Sequence, residues 1–232
     1  MATKYKHIFF DLDRTLWDFD SSAEMAFTEI FEKFHLYEKG IESVKIFQKA
    51  YNIHNEQLWE LYRHGKIEKE ILRSLRFQMT LADFGIADEK LAEKIGDEYL
   101  TISPLKVSLF PNAFETLQYL QQKYILHLIT NGFSEVQYIK LKASGLEKYF
   151  IEIITSEEAG VKKPDARIFE YSLKKSGAKA AESLMIGDDY EVDVLGAKNA
   201  GIDQVLFDPL KTYQKNGSTF YINDLGELKG FL

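Results

Sequence analysis

Short apolar runs alternate with segments of helical periodicity over much of this sequence. The first run, residues 5–10, is rich in Ile and Phe and ends in acidic residues, as buried strands commonly do. Strands that alternate with helices pair in parallel, and the helices then cover both faces of the sheet. We therefore expect an α/β fold with a doubly wound, Rossmann-like parallel sheet, whose strands lie near residues 5–10, 124–129, 151–154, 183–186 and 204–207. Helices are expected between the later strands at residues 134–143, 166–175 and 192–200.

The stretch from residue 21 to residue 103 interrupts this alternation. It contains no run typical of a strand, and its apolar residues recur at helical spacing. Ser21 and Glu24 have the spacing of a capping box, which predicts a helix start. We expect an all-helical domain at residues 16–104, inserted into an α/β core formed by residues 1–15 and 105–232.

Composition excludes several classes of protein. The chain has no cysteine, so disulfides, thiolate metal sites and cysteine nucleophiles are ruled out. Its net charge of −7 argues against binding to nucleic acid polymers or to anionic membranes. No run of about 18 apolar residues is present, and the first residues do not resemble a secretion signal. We expect a cytoplasmic protein.

Two acidic clusters follow predicted strands. Asp11 and Asp13 lie two positions apart on extended chain, so their carboxylates point to the same side. Residues 187–193, GDDYEVD, place four further acids beside a glycine. Such crowding of like charges favours a hard cation with oxygen ligands. Taken singly, however, the first cluster is also typical of a polar turn and the second of an acidic helix start.

Two other polar groups follow predicted strands. Residues 130–132, Thr-Asn-Gly, offer a hydroxyl and backbone N–H groups that could hold a phosphate. Lys163 offers a cation just before a predicted helix. Each alone is equally typical of a surface loop. In parallel sheets, however, ligands bind beyond the carboxyl ends of the strands, and all four groups are expected there.

In this order, the four groups resemble the motifs of the haloacid dehalogenase-like phosphohydrolase superfamily. DLDRT at residues 11–15 is similar to its first motif, ITNG at 129–132 to its second, Lys163 to its third, and GDDYEVD at 187–193 to its fourth. The helical insert matches the position and size of the C1 cap of that superfamily. The resemblance covers essentially the whole chain.

The resemblance implies a magnesium-dependent phosphomonoester hydrolase. Asp11 would be the nucleophile and would form an aspartyl-phosphate. Asp13 would protonate the leaving oxygen and then activate water. Mg²⁺ would be held by the carboxylates of Asp11 and Asp188 and by the backbone carbonyl of Asp13. Lys163 would neutralise charge on Asp11 and on the phosphate.

The remaining motif residues would support this chemistry. Thr130, Asn131 and Gly132 would bind the phosphate. Either Asp189 or Asp193 would order metal-bound water or Lys163, and the sequence leaves that choice open. The implied partner is a small phosphate monoester, and the sequence does not indicate an oligomeric state.

A narrower resemblance concerns the substrate. The continuation LWDF at residues 16–19 is similar to that of pyrimidine nucleoside-monophosphate 5′-nucleotidases, although Arg14 departs from the smaller or neutral residue common there. Trp17 could stack on a base or belong to the core. Lys66, Lys69, Arg73 and Arg76 have the spacing of one basic helix face.

Two other activities of the superfamily share the four motifs. A sugar-phosphate phosphatase would use the same groups on a different ester, and a phosphomutase would return the phosphoryl group to a second hydroxyl. A receiver domain, which is a phospho-accepting module of another class, fits less well. In receivers the accepting Asp follows the third strand, whereas here the acidic pair follows the first.

Overall fold

The computed structural model describes residues 4–213 and 217–232. Its sheet has six strands in the order β3-β2-β1-β4-β5-β6, and every neighbouring pair runs parallel. The expected doubly wound α/β architecture is therefore confirmed. The strands are β1 (His7–Phe10), β2 (Ile125–Thr130), β3 (Glu152–Thr155), β4 (Ser183–Gly187), β5 (Asp203–Phe207) and β6 (Phe220–Ile222).

Side chains of the central strands alternate between two apolar cores. Ile8 and Phe10 belong to one buried cluster, and Phe9 belongs to another on the opposite face. All four residues of β1 are buried because strands and helices cover it on every side. Burial on both faces explains why β1 shows as a continuous apolar run in the sequence.

Helices flank the sheet where the sequence predicts them. Gly145 follows α6 (Ser134–Ser144) and Gly177 follows α8 (Ala166–Ser176), with φ angles of 68° and 65°, the left-handed conformation that ends many helices. The helices of this part of the chain are α5 (Ala113–Leu120), α6 (Ser134–Ser144), α7 (Ser156–Ala159), α8 (Ala166–Ser176) and α9 (Gly196–Asn199).

Two details differ from the expectations for the sheet. Strand β6 was not predicted, because it has only three residues and lies at the sheet edge with its middle residue exposed. The helix expected at residues 192–200 is instead a π-helical turn at Tyr190–Leu195 followed by α9. Such a turn is frequent at functional sites.

The chain divides into two compact units. One ends at Phe19 and resumes at Val107, and the other is Asp20–Lys106. Residues 16–19 therefore belong to the part of the chain that forms the sheet, whereas we expected them in the helical insert. The reason is local pairing: Trp17 bridges Asp13 and Leu109. We call the two parts the sheet unit and the helical unit.

The helical unit is built on α1 (Phe19–Lys33), α2 (Val44–Arg63), α3 (Lys69–Ala82) and α4 (Glu89–Ile102). Ser43 and Asp88 cap α2 and α4 by accepting from backbone N–H groups three residues ahead. The capping box expected at Ser21 and Glu24 is wrong, because α1 begins at Phe19 and Ser21 lies inside it. No helix in the described ranges has the length and hydropathy needed to cross a membrane.

Aromatic rings fill the core of the helical unit. Arg76 is only 3% exposed there, and its guanidinium lies 5.3 to 5.6 Å from the ring centroids of Tyr51, Phe77 and Tyr99. Its Nη1 donates to Asn55 Oδ1 at 3.1 Å. The prediction that Arg76 shares a basic surface stripe is therefore wrong. Cation–π contacts compensate its burial.

Candidate active site

Three neighbouring strands end at one edge of the sheet. Asp11 directly follows β1, Thr130 is the last residue of β2, and Gly187 is the last residue of β4. The backbone N–H of Asp11 donates to the carbonyl of Ile186 at 2.9 Å, which extends the pairing of β1 and β4. The polar groups that follow these strands are therefore brought together, as the parallel arrangement requires.

Lys163 is the buried centre of this cluster. Its Nζ donates to Asp11 Oδ1 at 2.6 Å, to Asp193 Oδ1 at 2.6 Å and to the carbonyl of Ile129 at 2.9 Å. The residue is 2% exposed. Burial alone lowers the pKa of Lys163, but the ion pairs with Asp11 and Asp193 outweigh it and raise that pKa. Lys163 is therefore a fixed positive charge.

Asp11, Asp188 and Asp193 form an acidic cluster whose ligand oxygens all lie within 4.8 Å of one another. Burial, and next the neighbouring carboxylates, raise the pKa of Asp188 well above its ordinary value. Burial also raises the pKa of Asp11, against the opposing charge of Lys163. Three carboxylates face one lysine, so the cluster has an excess of negative charge. Oxygen donors with this excess fit a hard divalent cation such as Mg²⁺.

The two candidate supporting acids have different partners. The side chain of Asp189 accepts from the backbone N–H groups of Glu191 and Val192, both at 3.0 Å, and so caps the π-helical turn. Asp193 contacts Lys163, and its second oxygen accepts from the Asp189 backbone N–H at 3.2 Å. Geometry therefore brings Asp193, rather than the carboxylate of Asp189, against Lys163.

Asp13 is held apart from the acidic cluster. Its Oδ2 accepts from Gln137 Nε2 at 2.9 Å, and its Oδ1 forms an ion pair with Lys140. Arg14, the residue after Asp13, has a φ of 66°, and its N–H donates to the carbonyl of Trp17 at 2.8 Å. The side chains of Asp11 and Asp13 have different lysine partners, Lys163 for the first and Lys140 for the second. A role for the Asp13 backbone carbonyl at a metal stays a prediction.

The loop after β2 is tied to Lys163 through backbone groups. Asn131 Oδ1 accepts from the Lys163 N–H at 2.8 Å, and Asn131 Nδ2 donates to the Lys163 carbonyl at 2.9 Å. The hydroxyl of Thr130 donates to Gln137 Oε1 at 3.2 Å and accepts from the Gly132 N–H at 3.0 Å. The side chain of Asn131 thus aligns the second and third motif groups with each other.

Trp17 requires a correction. From the sequence, its ring could stack on a base or belong to the core; the residue is 0% exposed and belongs to the apolar core of the sheet unit. The ammonium group of Lys140 lies 5.2 Å from the centroid of its ring. With no exposed ring face, Trp17 packs the core and anchors the turn after Asp13.

Sequence reasoning missed Gln137 and Lys140. Both lie on α6, three residues apart and therefore on one helix face, and both are buried. Their spacing just after the second motif was the only available signal. Polar residues at that spacing are usually solvated, so the sequence did not separate these two from the surface residues of α6.

A model of the haloacid dehalogenase-like hydrolase family matches residues 5–201. The chain belongs to this family. The match covers most of the sequence, and it includes every residue of the cluster around Lys163 together with Asp13. The expected superfamily is therefore confirmed.

Three relatives are similar over most of their length. Pyrimidine 5′-nucleotidase YjjG of Escherichia coli is 34% identical, covering 99% of this chain and 98% of its own. Pyrimidine 5′-nucleotidase PynA of Streptococcus pneumoniae is 32% identical, covering 88% and 84%. Glyceraldehyde 3-phosphate phosphatase of Methanothermobacter thermautotrophicus is 33% identical, covering 98% and 99%. The expectation that this chain is a phosphatase is confirmed.

A solved structure is similar over both chains. The HAD-hydrolase YfnB of Bacillus subtilis, in a magnesium-bound crystal form, matches with a TM-score of 0.87 and 28% identity, covering 98% of each chain. The expected fold, an α/β core with a helical insert, agrees with this match.

Proposed function

We propose that this chain hydrolyses phosphate monoesters by passing the phosphoryl group through Asp11, with Mg²⁺ at the acidic cluster. One observation carries the proposal: the carboxylate of Asp11 lies at a strand end, bound to Lys163 and within 4.8 Å of Asp188 and Asp193. Asp11, Asp188 and the backbone carbonyl of Asp13 would hold the ion. Bound there, Mg²⁺ would screen the repulsion between the carboxylate and an anionic phosphate.

Asp11 is the proposed nucleophile. Its carboxylate oxygen attacks phosphorus, the bond from phosphorus to the ester oxygen breaks, and an aspartyl-phosphate forms. Lys163 holds this carboxylate in place and offsets the charge that approaches it. Thr130, Asn131 and Gly132 bind phosphate oxygens in this scheme, for which the Thr130 hydroxyl and the Gly132 N–H would exchange their present acceptors, Gln137 and Thr130. The side chain of Asn131 fixes the backbone of Lys163.

Asp13 is the proposed acid and base. It gives a proton to the ester oxygen as that oxygen leaves, so the alcohol departs neutral. It then takes a proton from water, whose oxygen attacks phosphorus and displaces Asp11. The side chain of Asp13 lies apart from the acidic cluster, and this supports its role as acid and base beside the nucleophile Asp11. A carboxylate bound to a metal would be a poor proton carrier. Asp193 positions Lys163, and Asp189 shapes the turn that carries Asp193.

Activity with and without metal tests the proposal. The wild-type protein should release phosphate from p-nitrophenyl phosphate with Mg²⁺ and lose that activity in a chelator. Asp11→Asn should reduce kcat by at least about 10⁴-fold, since an amide is not a nucleophile. Asp97→Asn, on the exposed face of α4, is the matched control and should leave kcat unchanged.

Reaction in isotopically labelled water distinguishes hydrolysis from transfer of the phosphoryl group to a second hydroxyl. Label should appear in the released phosphate without any bisphosphate activator. A requirement for such an activator would favour the phosphomutase alternative. Wild-type kcat in Asp11→Asn would contradict the covalent route.

For the substrate, we propose nucleoside 5′-monophosphates with a preference for pyrimidines. Two relatives bear the name pyrimidine 5′-nucleotidase, and this supports the proposal. A second candidate is a sugar phosphate, because a relative of nearly equal identity is named glyceraldehyde 3-phosphate phosphatase. A direct comparison of kcat/KM for nucleotides and for sugar phosphates decides between the two candidates.

A further inference from the structure

Helix α6 carries two buried polar side chains that lie outside the four motif groups. Gln137 is 1% exposed and Lys140 is 4% exposed. Their spacing of three residues places them on the same face of the helix. Burying an amide and an ammonium group is costly unless each has partners, so their contacts indicate what they are for.

Gln137 links Asp13 to the loop after β2. Its Nε2 donates to Asp13 Oδ2 at 2.9 Å, while its Oε1 accepts from the Thr130 hydroxyl at 3.2 Å. A Cβ at Gly132 would overlap the Gln137 amide, so the glycine permits this close packing. The amide is thus fixed at both ends, with its donor end toward the carboxylate.

Lys140 holds the other oxygen of the same carboxylate. Its Nζ forms an ion pair with Asp13 Oδ1 and lies 5.2 and 5.5 Å from the ring centroids of Trp17 and Phe19. Water is largely excluded from the ammonium group, which strengthens the pair. Each oxygen of Asp13 therefore has its own donor from α6.

We propose that Gln137 and Lys140 are positioning residues for the proton transfers of Asp13. The inference rests on the proposed function, in which Asp13 serves as acid and then as base. Lys163 is already engaged with Asp11 and Asp193, so the chain supplies a separate lysine for each carboxylate of the first motif.

The proton balance shows where the two residues act. In the first step the carboxyl of Asp13 loses its proton to the ester oxygen, and the P–O ester bond breaks as the bond to Asp11 forms. In the second step the resulting Asp13 carboxylate takes a proton from the attacking water. Lys140 and the Gln137 amide contact one oxygen each and so hold the Asp13 side chain in one orientation for both transfers.

Two esters with different leaving groups test the proposal. The 5′ oxygen of UMP needs a proton to leave, whereas p-nitrophenolate leaves without one. Lys140→Met and Gln137→Met should each lower kcat/KM for UMP by roughly 10- to 100-fold, a part of what general acid catalysis supplies. For p-nitrophenyl phosphate kcat/KM should stay within about 3-fold, while kcat falls because hydrolysis of the aspartyl-phosphate still needs Asp13.

Matched variants on the same helix serve as controls. Lys142→Met removes an exposed lysine of α6 and should leave both substrates unaffected. Lys140→Arg keeps the charge beside Asp13 and should recover much of the UMP activity. Should Lys140→Met fail to fold, Gln137→Met gives the same comparison with the buried ion pair intact.

Two results would overturn the proposal. One is an equal fall of kcat/KM for both esters, which a purely structural role would produce, and the other is unchanged kinetics in both variants. The same comparison in Asp13→Asn shows whether only the positioning role is wrong or the proposed role of Asp13 is wrong as well. If Asp13→Asn shows the leaving-group dependence and the α6 variants do not, only the positioning role is wrong. If Asp13→Asn shows none either, the proposed role of Asp13 fails with it.

Discussion

At the scale of single residues, the acidic cluster lowers the stability of the folded protein, although the proposed metal binding requires it. Asp11, Asp188 and Asp193 bring three carboxylates into buried surroundings with one lysine. The pKa of Asp188 is raised, first by burial and then by its acidic neighbours. A carboxyl whose pKa is raised in the folded state makes the protein less stable as the pH rises from the ordinary pKa through the raised one.

Asp188→Asn should therefore stabilise the metal-free protein at neutral pH. An amide of the same size removes one half-buried charge and keeps an oxygen for the Thr15 hydroxyl, which donates to Asp188 at 3.1 Å. We expect a gain of roughly 1 kcal/mol, or about 2 to 4 °C in Tm. The gain should shrink near pH 4, where the wild-type carboxyl is already protonated in the folded state. Thermal unfolding in chelator at both pH values measures it.

Adding Mg²⁺ should reverse the order of the two proteins. The wild type should gain Tm with increasing Mg²⁺, since a ligand of the folded state stabilises by mass action, and Asp188→Asn should gain little. Asp97→Asn, an exposed substitution, should change neither measurement. A metal-free Asp188→Asn protein less stable than the wild type would show that the carboxylate of Asp188 does not destabilise the folded protein.

At the scale of elements, strands β1 and β2 share a buried pair of histidines. His7 Nδ1 and His127 Nε2 are 3.0 Å apart, and the ring of His127 also stacks on Phe9. Burial, and next the charge of His7, lower the pKa of His127 to about 4. Burial also lowers the pKa of His7, with Glu182 opposing the shift and Lys6 adding to it. Both rings are neutral in the folded protein at pH 7.

This pair should make stability fall in mild acid. In the unfolded chain the pKa of His127 is near 6.5, so below that pH the unfolded state binds a proton that the folded state does not bind. Between pH 7.5 and pH 5 the free energy of unfolding should drop by about 2 kcal/mol from His127 alone. Urea unfolding at the two pH values measures the drop.

His127→Phe should remove that contribution while keeping an aromatic ring against Phe9. His35→Phe is the matched control, because the side chain of His35 is 70% exposed and its loss should leave the pH dependence unchanged. An equal drop in the wild type and in His127→Phe would show that His127 accepts a proton in the folded state at its ordinary pKa.

The strands and helices also differ in how well they could be predicted from the sequence. Buried parallel strands appear as apolar runs, and polar residues right after them mark the functional edge, so β1 to β5 and the groups around Lys163 were predictable. Strand β6 was not, because three residues at an edge carry too little pattern. The burial of Trp17 and the pairing of α6 with Asp13 depend on tertiary contacts, and periodicity along one segment does not encode them.

At the scale of the whole molecule, the residues proposed for the chemistry all belong to the sheet unit. Asp11, Asp13, Lys163, Asp188 and Asp193 lie before Phe19 or after Val107. In the proposed mechanism they bind the phosphoryl group and a cation, and these are the same for every phosphate monoester. Selectivity must therefore come from contacts with the part of the substrate beyond the phosphate. Burial of Trp17 removes the base contact that the sequence suggested within this unit.

A matched pair of substrates isolates the effect of the base. UMP and ribose 5-phosphate present the same phosphate on the same carbon of a pentose, and differ in the pyrimidine. If the chain is a pyrimidine nucleotidase, kcat/KM for UMP should exceed that for ribose 5-phosphate by roughly 5- to 150-fold, the equivalent of the 1–3 kcal/mol of one stacked base. AMP measured in parallel tests the preference for pyrimidines, and glyceraldehyde 3-phosphate tests the second candidate. Equal values for UMP and ribose 5-phosphate would show that the base is not recognised. A triose phosphate that exceeds every nucleotide would assign the chain to sugar phosphates. The proposed roles of Asp11 and Asp13 would be unchanged, because both act at the phosphorus and its ester oxygen, which the two substrate classes share.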